Sequence, residues 1–418
     1  MSEIYICSAG EYVVLRTEGK NCGLLCKVLG IKSGKIHLVS LATNSEVLAV
    51  PAELIEGGEY DGSEEEVEDA DEDEKMDDGD YDNEIDTDTL IIAQTSTDTP
   101  NQQFLIAMTQ YYAMSYSVAL SLFQRLIANS EGLNSREKQK VFMLAAECAH
   151  HLEDGELQLA LLTQYFNSNS SCTFTMCSIG HLYETRGQFD VALNWYNQAQ
   201  STDPYCSIPS FYIANMLFIQ DGLQRKQDCL TLLYRCCTQC RLLSVNQGVF
   251  NAVRMYIRIA ELIQLLEGDV TLTFRALLRA INISRHNGAE TVDPTRTISS
   301  TVWTAKDIHN FERRQLRTLE CQAFHALGQV LESVGMHHVL NYMNSSNTTS
   351  DQWHTANKRG SDKKIKKQDK QSSTGKQADI PGKGYLTGAL AAYKMCCILC
   401  PDEKLRYEQE VNRILPRL

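Results

Sequence analysis

Fifteen cysteines and ten histidines are where chemistry is first sought in this chain of 418 residues. The cysteines gather at Cys22 and Cys26, at Cys236, Cys237 and Cys240, and at Cys396, Cys397 and Cys400. The last two groups each hold a C-x-x-C, which is half of a structural zinc site. Both lie within helical hydrophobic patterns, where cysteine serves as a small buried apolar residue, so packing rather than metal is expected. The doublets His150-His151 and His337-His338 sit at helix ends. Adjacent side chains diverge by about 100° around a helix, so neither doublet presents a chelating face. The sequence contains no Gly-x-Ser-x-Gly, no His-Glu-x-x-His and no phosphate-cradling glycine-rich loop. The reading is a non-enzyme with no cofactor and no metal, whose chemistry is recognition.

Charge narrows what is recognised. The net charge is −14, yet residues 59–88 alone carry 18 Asp or Glu against one Lys (Lys75), leaving the rest nearly balanced. A balanced remainder does not build a nucleic-acid face, so protein partners are expected and nucleic acid is the disfavoured alternative. The acidic run has too little apolar surface to offset its chain entropy and reads as a disordered linker over 57–98. A second polar stretch, about 338–384, carries Lys358, Arg359, Lys363, Lys364, Lys366 and Lys367. It is read as a solvated basic loop; nuclear import, an RNA or acidic partner, or the chain's own acidic run are its alternatives. The first residues lack a secretory head, and no run approaches the ~20 apolar residues of a spanning helix, so an intracellular protein, cytoplasmic or nuclear, without a membrane partner is expected.

The elements that must position a binding surface are of two kinds. Strand-like runs at 11–16, 24–31, 35–42 and 46–50 are separated by turn formers. They suggest a small SH3-like or Tudor-like module over residues 1–56, which reads as a docking or capping unit. A methyl-lysine cage would need several aromatics, and this stretch offers only Tyr5 and Tyr12. From residue 99 the apolar spacing changes to three and four, helix after helix, at 104–112, 118–127, 141–151, 157–166, 174–185 and 191–200.

Within that array one unit is complete. Met176, Ile179, Gly180 and Tyr183 share a helix face; Gly187 marks a turn; Ala192, Tyr196 and Ala199 line a second helix; Pro204 ends it. A second unit is split: Phe324, Leu327, Gly328 and Leu331 repeat the first half, and Ala389, Tyr393, Cys396 and Pro401 the second, with 49 extra residues between. These spacings resemble the tetratricopeptide repeat, with Met176 for its Trp, Ile179 for its Leu and Tyr196 for its Phe. Gly180 and Ala192, like Gly328 and Ala389, are small because paired helices cross there, and Pro204 and Pro401 force the chain into the next unit. The remaining units follow by period: residues 104–111 with Ala119, Phe123 and Leu126; Phe142, Ala145 and Ala149 with 157–166; Ile213, Ala214 and Leu217 with Cys229, Leu233 and Cys236; Tyr256, Ile259 and Ala260 with Leu277 and Ala280.

The resemblance implies a mainly α solenoid of about six helix-turn-helix repeats with a small N-terminal β module. The array spans 99–284, a linker 285–306, the interrupted last repeat 307–402 and a polar capping helix 403–418. It further implies a scaffold, a subunit of a larger assembly, whose first helices line a groove. Phe174, His181, Phe211, Tyr212, Asn215 and Phe218 are then its floor, aromatic and mostly uncharged, suited to an apolar segment or helix. The terminal-carboxylate grip of the chaperone-binding subclass is disfavoured, because Cys177, His181 and Tyr212 stand at its basic and amide positions. An RNA- or chromatin-associated factor using the N-terminal module and the basic insert is the alternative.

Overall fold

The computed structural model describes residues 12–15, 24–32, 35–42, 44, 46–49, 54–56, 99–129, 133–238, 249–286, 303, 305–356 and 382–418. The acidic run at 59–88 and the basic residues 358–367 lie outside them. Contacts divide the chain into two units: residues 60–249 with 287–316, and residues 1–59 with 250–286 and 317–418.

The first unit holds eight helices in hairpins: α1 (Pro100–Tyr112), α2 (Tyr116–Ala128), α3 (Ser135–His151), α4 (Gly155–Ser168), α5 (Thr173–Thr185), α6 (Phe189–Thr202), α7 (Ser207–Asp221) and α8 (Lys226–Thr238). Each helix packs on the next, and α1 also meets α3 as α5 meets α7. The starts are written locally. Thr99 accepts from the Gln102 amide while the Gln102 side chain accepts from the Thr99 amide, and Asn134 with Glu137 repeats this capping box. Ala107, Met108, Ala119, Phe123, Leu126, Ala145, Ala149, Leu161 and Ile179 fuse into one buried cluster across five helices. No hairpin buries its apolar face alone, so neighbours stabilise one another.

The turns repeat as well. Met114, Glu153 and Gly187 have φ of 64, 59 and 74°. Behind them Ser115 N bonds Gln110 O at 2.9 Å, Asp154 N bonds Ala149 O at 2.9 Å and Gln188 N bonds Tyr183 O at 2.9 Å, the six-to-one bond of a Schellman turn. Only Gly187 suits that backbone without steric cost. Glu153→Gly should therefore raise stability by about 0.5–1 kcal/mol, since a left-handed non-glycine costs about 1–2 and glycine's extra chain entropy returns part of it. Equal or lower urea midpoints for this exposed position would contradict the turn assignment.

The second unit joins a sheet to helices. Strands β1 (Tyr12–Leu15), β2 (Leu25–Lys32), β3 (Lys35–Ser40), β4 (Glu46–Ala49) and β5 (Leu54–Glu56) form one antiparallel sheet in the order β4-β3-β2-β1-β5. The sequence pattern shows four of these; β5 is too short to carry a period and is held by pairing Leu15 with Leu54. The helices are α9 (Val249–Leu265), α10 (Val270–His286), α11 (Ala305–Ala356), α12 (Lys383–Leu399) and α13 (Lys404–Ile414), where α11 belongs to this unit from Arg317 onward. With α9/α10 and α11/α12 the described residues hold six hairpins, so the mainly α repeat architecture with a small N-terminal β module is present.

Strand β1 is buried on both faces. Val13 joins Leu24, Cys26, Val28, Ile36 and Leu38, while Tyr12 turns to the helices, where its amide donates to Asn282 Oδ1 at 3.2 Å and its ring meets Phe324 edge-on at 5.5 Å. Residues 338–356, expected to lie in the insert, are helical, because α11 continues to Ala356. The capping helix α13 is polar but anchored: Tyr407 and Ile414 are buried, and Arg413 and Arg417 reach Glu332 of α11 at 2.5 and 3.1 Å.

Candidate functional site

The sequence-derived groove residues lie on α5 and α7, the first helices of adjacent hairpins. What positions them is the α5/α6 crossing. A Cβ on Gly180 would stand 2.6 Å from Tyr196 Cε1, so only glycine admits that ring. The buried Tyr196 hydroxyl then donates to Glu184 Oε2 at 2.6 Å, and burial with this carboxylate pushes the phenol well above its ordinary pKa, keeping it a donor. Tyr212 from α7 stacks on Tyr196, with centroids 5.2 Å apart and planes 10° apart. Ala192 and Ala199 are fully buried and Tyr183 half-buried against the α1–α4 core, while Pro204 follows the end of α6.

The other repeat is built alike. A Cβ on Gly328 would meet Tyr393 Cε1 at 2.8 Å, and the Tyr393 hydroxyl donates to Glu332 Oε2 at 3.3 Å. Ala389 and Tyr393 are fully buried, and Pro401 opens a short 3-10 turn after α12. Glu184 and Glu332, each four residues after the crossing glycine, were not anticipated; the signal was the shared Gly-x-x-x-Glu of the two units.

On the surface itself, His181 is exposed and Phe174, Phe211, Asn215 and Phe218 are half-buried. His181 lies 5.3 Å from the Tyr212 ring, and Phe211 5.4 Å from it. Tyr212 is half-buried and spends one ring face on Tyr196. Beside these mostly uncharged side chains lies the buried Glu184, with His181 Nδ1 at 3.6 Å. Cys177 and Ile208, also on these helices, are buried.

Elsewhere in the same unit, the first-helix surface is already filled. Trp303, Ile308, Phe311 and Glu312 lie against α1 and α3. Trp303 stacks on Tyr112 at 6.0 Å and 14°, Phe311 packs on the same ring at 4.8 Å, and Ile308 enters the core cluster. Glu312 accepts from the Tyr112 hydroxyl at 2.6 Å and pairs with Lys140 at 3.2 Å.

The remaining sequence candidates pack. Cys236 Sγ donates to Ser207 O at 3.4 Å, Cys396 Sγ donates to Cys321 O at 3.4 Å, and burial pushes the Cys26 and Cys148 thiols up to about 12. His151 stacks on Tyr116 at 4.2 Å, and His338 stacks on Tyr385 at 5.6 Å beside a cleft of about 450 Å³. Among the described residues no group of three or more His, Cys, Asp and Glu is placed to hold a metal ion, and no helix is long and apolar enough to cross a membrane. The basic residues Lys358 to Lys367 and Tyr5 are outside the described residues, and Tyr12 is buried.

No protein-family model matches the chain, and neither does any curated protein. Solved structures similar to it include the C-terminal part of a TPR repeat-containing protein from Cytophaga hutchinsonii, 13% identical over 71% of this chain and 95% of that one, with a TM-score of 0.28. Two structures of MamA are 12% and 11% identical, over 47% and 45% of this chain and 91% and 92% of theirs, each with a TM-score of 0.24.

Proposed function

We propose that this chain is a non-enzymatic scaffold of the tetratricopeptide kind, and that the surface of α5 and α7 binds a helical protein segment of a partner in a larger assembly. One observation carries this reading. The equivalent surface on α1 and α3 holds a helical start of the same chain, with Trp303, Ile308 and Phe311 as apolar anchors and Glu312 as the polar tie. The α5/α7 surface offers matching chemistry in Phe174, Phe211 and Phe218, with Asn215 for a polar or backbone contact.

Aromatic anchors at the centre of such an interface are worth about 2 kcal/mol or more each, so Phe211→Ala/Phe218→Ala should weaken a bound partner at least about thirtyfold. Quantitative affinity purification of the intact chain and this variant, with circular dichroism to verify the fold, measures it. A variant that recovers every wild-type partner undiminished would remove these helices from the binding surface.

A further inference from the structure

We propose that Glu184 anchors an arginine side chain of the bound segment; this rests on the α5/α7 reading and specifies its ligand. Glu184 is 8% exposed, yet its neighbours leave it incompletely matched. Oε2 accepts from the Tyr196 hydroxyl and faces the His181 ring, whereas Oε1 forms no hydrogen bond among the described residues. No lysine or arginine among the described residues pairs with it.

The equivalent glutamate shows what such a carboxylate takes. Glu332 also follows its crossing glycine by four residues and also accepts a buried tyrosine hydroxyl, and there Arg413 fills Oε2 at 2.5 Å and Arg417 fills Oε1 at 3.1 Å. Both arginines come from α13 and the turn that ends it, just as α7 follows the α5/α6 hairpin. Glu320, twelve residues earlier on α11, likewise holds Arg285, whose guanidinium lies 4.9 Å from the Tyr12 ring centre. In the α5–α7 repeat the following helix brings Tyr212 and Phe211 instead of a cation. The carboxylate is thus built like one that binds guanidinium, with the His181 ring beside it, the Tyr212 ring 5.3 Å from His181, and no cation from the described residues paired with it.

Arginine fits better than lysine. Its planar, weakly hydrated fork bonds a carboxylate while stacking on rings, and a compact ammonium gives up more hydration for one contact. A neutral isostere keeps the shape and loses the charge-assisted bond.

The test titrates the full chain with N-acetyl-L-arginine amide, followed by amide and ring NMR signals, against the citrulline and lysine amides. Saturable shifts at His181, Glu184 and Tyr212 are expected with arginine, and about tenfold weaker binding with citrulline, the size of one lost charge-assisted hydrogen bond. Glu184→Gln keeps an acceptor for Tyr196 and should reduce arginine to the citrulline level. Tyr196→Phe frees Oε2 and should bind arginine at least as well as wild type. Equal shifts from arginine and citrulline, undiminished binding in Glu184→Gln, or loss in Tyr196→Phe would each overturn the proposal. Partners released by Phe211→Ala/Phe218→Ala but kept by Glu184→Gln would leave the groove standing and remove only the arginine.

Discussion

Gly180→Ala should destabilise the α5/α6 hairpin by about 1–3 kcal/mol. The new methyl would stand 2.6 Å from Tyr196 Cε1 and 2.9 Å from Cδ1, closer than real side chains approach. Overpacking of a buried ring costs about 1–3 kcal/mol, and displacing the ring also breaks its bond to Glu184, about 1 more, against about 1 gained from alanine's helix propensity. The ring is further confined by Tyr212, which stacks on it. Gly187, whose Cβ would meet nothing within 4 Å, is a useful contrast: alanine there suffers only its φ of 74°. Urea unfolding of both variants, read by circular dichroism, makes the comparison. Adding Tyr196→Leu to Gly180→Ala should cost less than the sum of the two single changes, because the smaller side chain makes room. Strict additivity would mean that the close approach is not what Gly180 is for.

Arg285→Ala should cost as much or more, about 3–5 kcal/mol, by stranding the fully buried Glu320 without its guanidinium. It also strips the cation from Tyr12 and Phe324, where the sheet meets the helices. The effect has a pH signature. Burial raises the Glu320 pKa, and Arg285 is the main influence opposing that rise. A carboxyl whose folded pKa exceeds its unfolded value binds more protons when folded, so stability is full below the unfolded pKa and declines as pH rises through the folded one. Removing Arg285 lifts the folded pKa further. The deficit of Arg285→Ala should therefore be greatest near neutrality and shrink on acidification toward the ordinary carboxylate range. Glu320→Gln placed in that background should recover much of the loss at neutral pH. Thermal unfolding across pH measures both, and hydrogen exchange at residues 12–14 reports whether the sheet loosens first. A deficit that does not change with pH would exclude the buried carboxylate as its source.

Much of the helical architecture is legible in the residues, and the two strongest units show why. Gly180 with Ala192 and Tyr196, and Gly328 with Ala389 and Tyr393, recur at spacings set by one helix burying a face against its partner, so the period survives the long insert. The turns are less legible. Met114 and Glu153 carry the same left-handed step as Gly187, but the tertiary stacking imposes it on residues that give no sign of it. The proposed α5/α7 surface is half readable. Phe174, Phe211 and Phe218 follow from helical spacing, whereas Tyr212's partner and the carboxylate beneath the floor depend on which side chain of the neighbouring hairpin arrives there.

Local periodicity alone was enough to establish a row of helix pairs with small residues at their crossings, because each pattern needs only a few neighbouring turns to be satisfied. Folding in three dimensions settled what strand β1 and the start of α11 pack against. Tyr12 bonds Asn282 across 270 positions, and Tyr112 bonds Glu312 across 200. Such contacts are chosen by the fit of two finished surfaces, and neither surface exists until the helices that build it have packed.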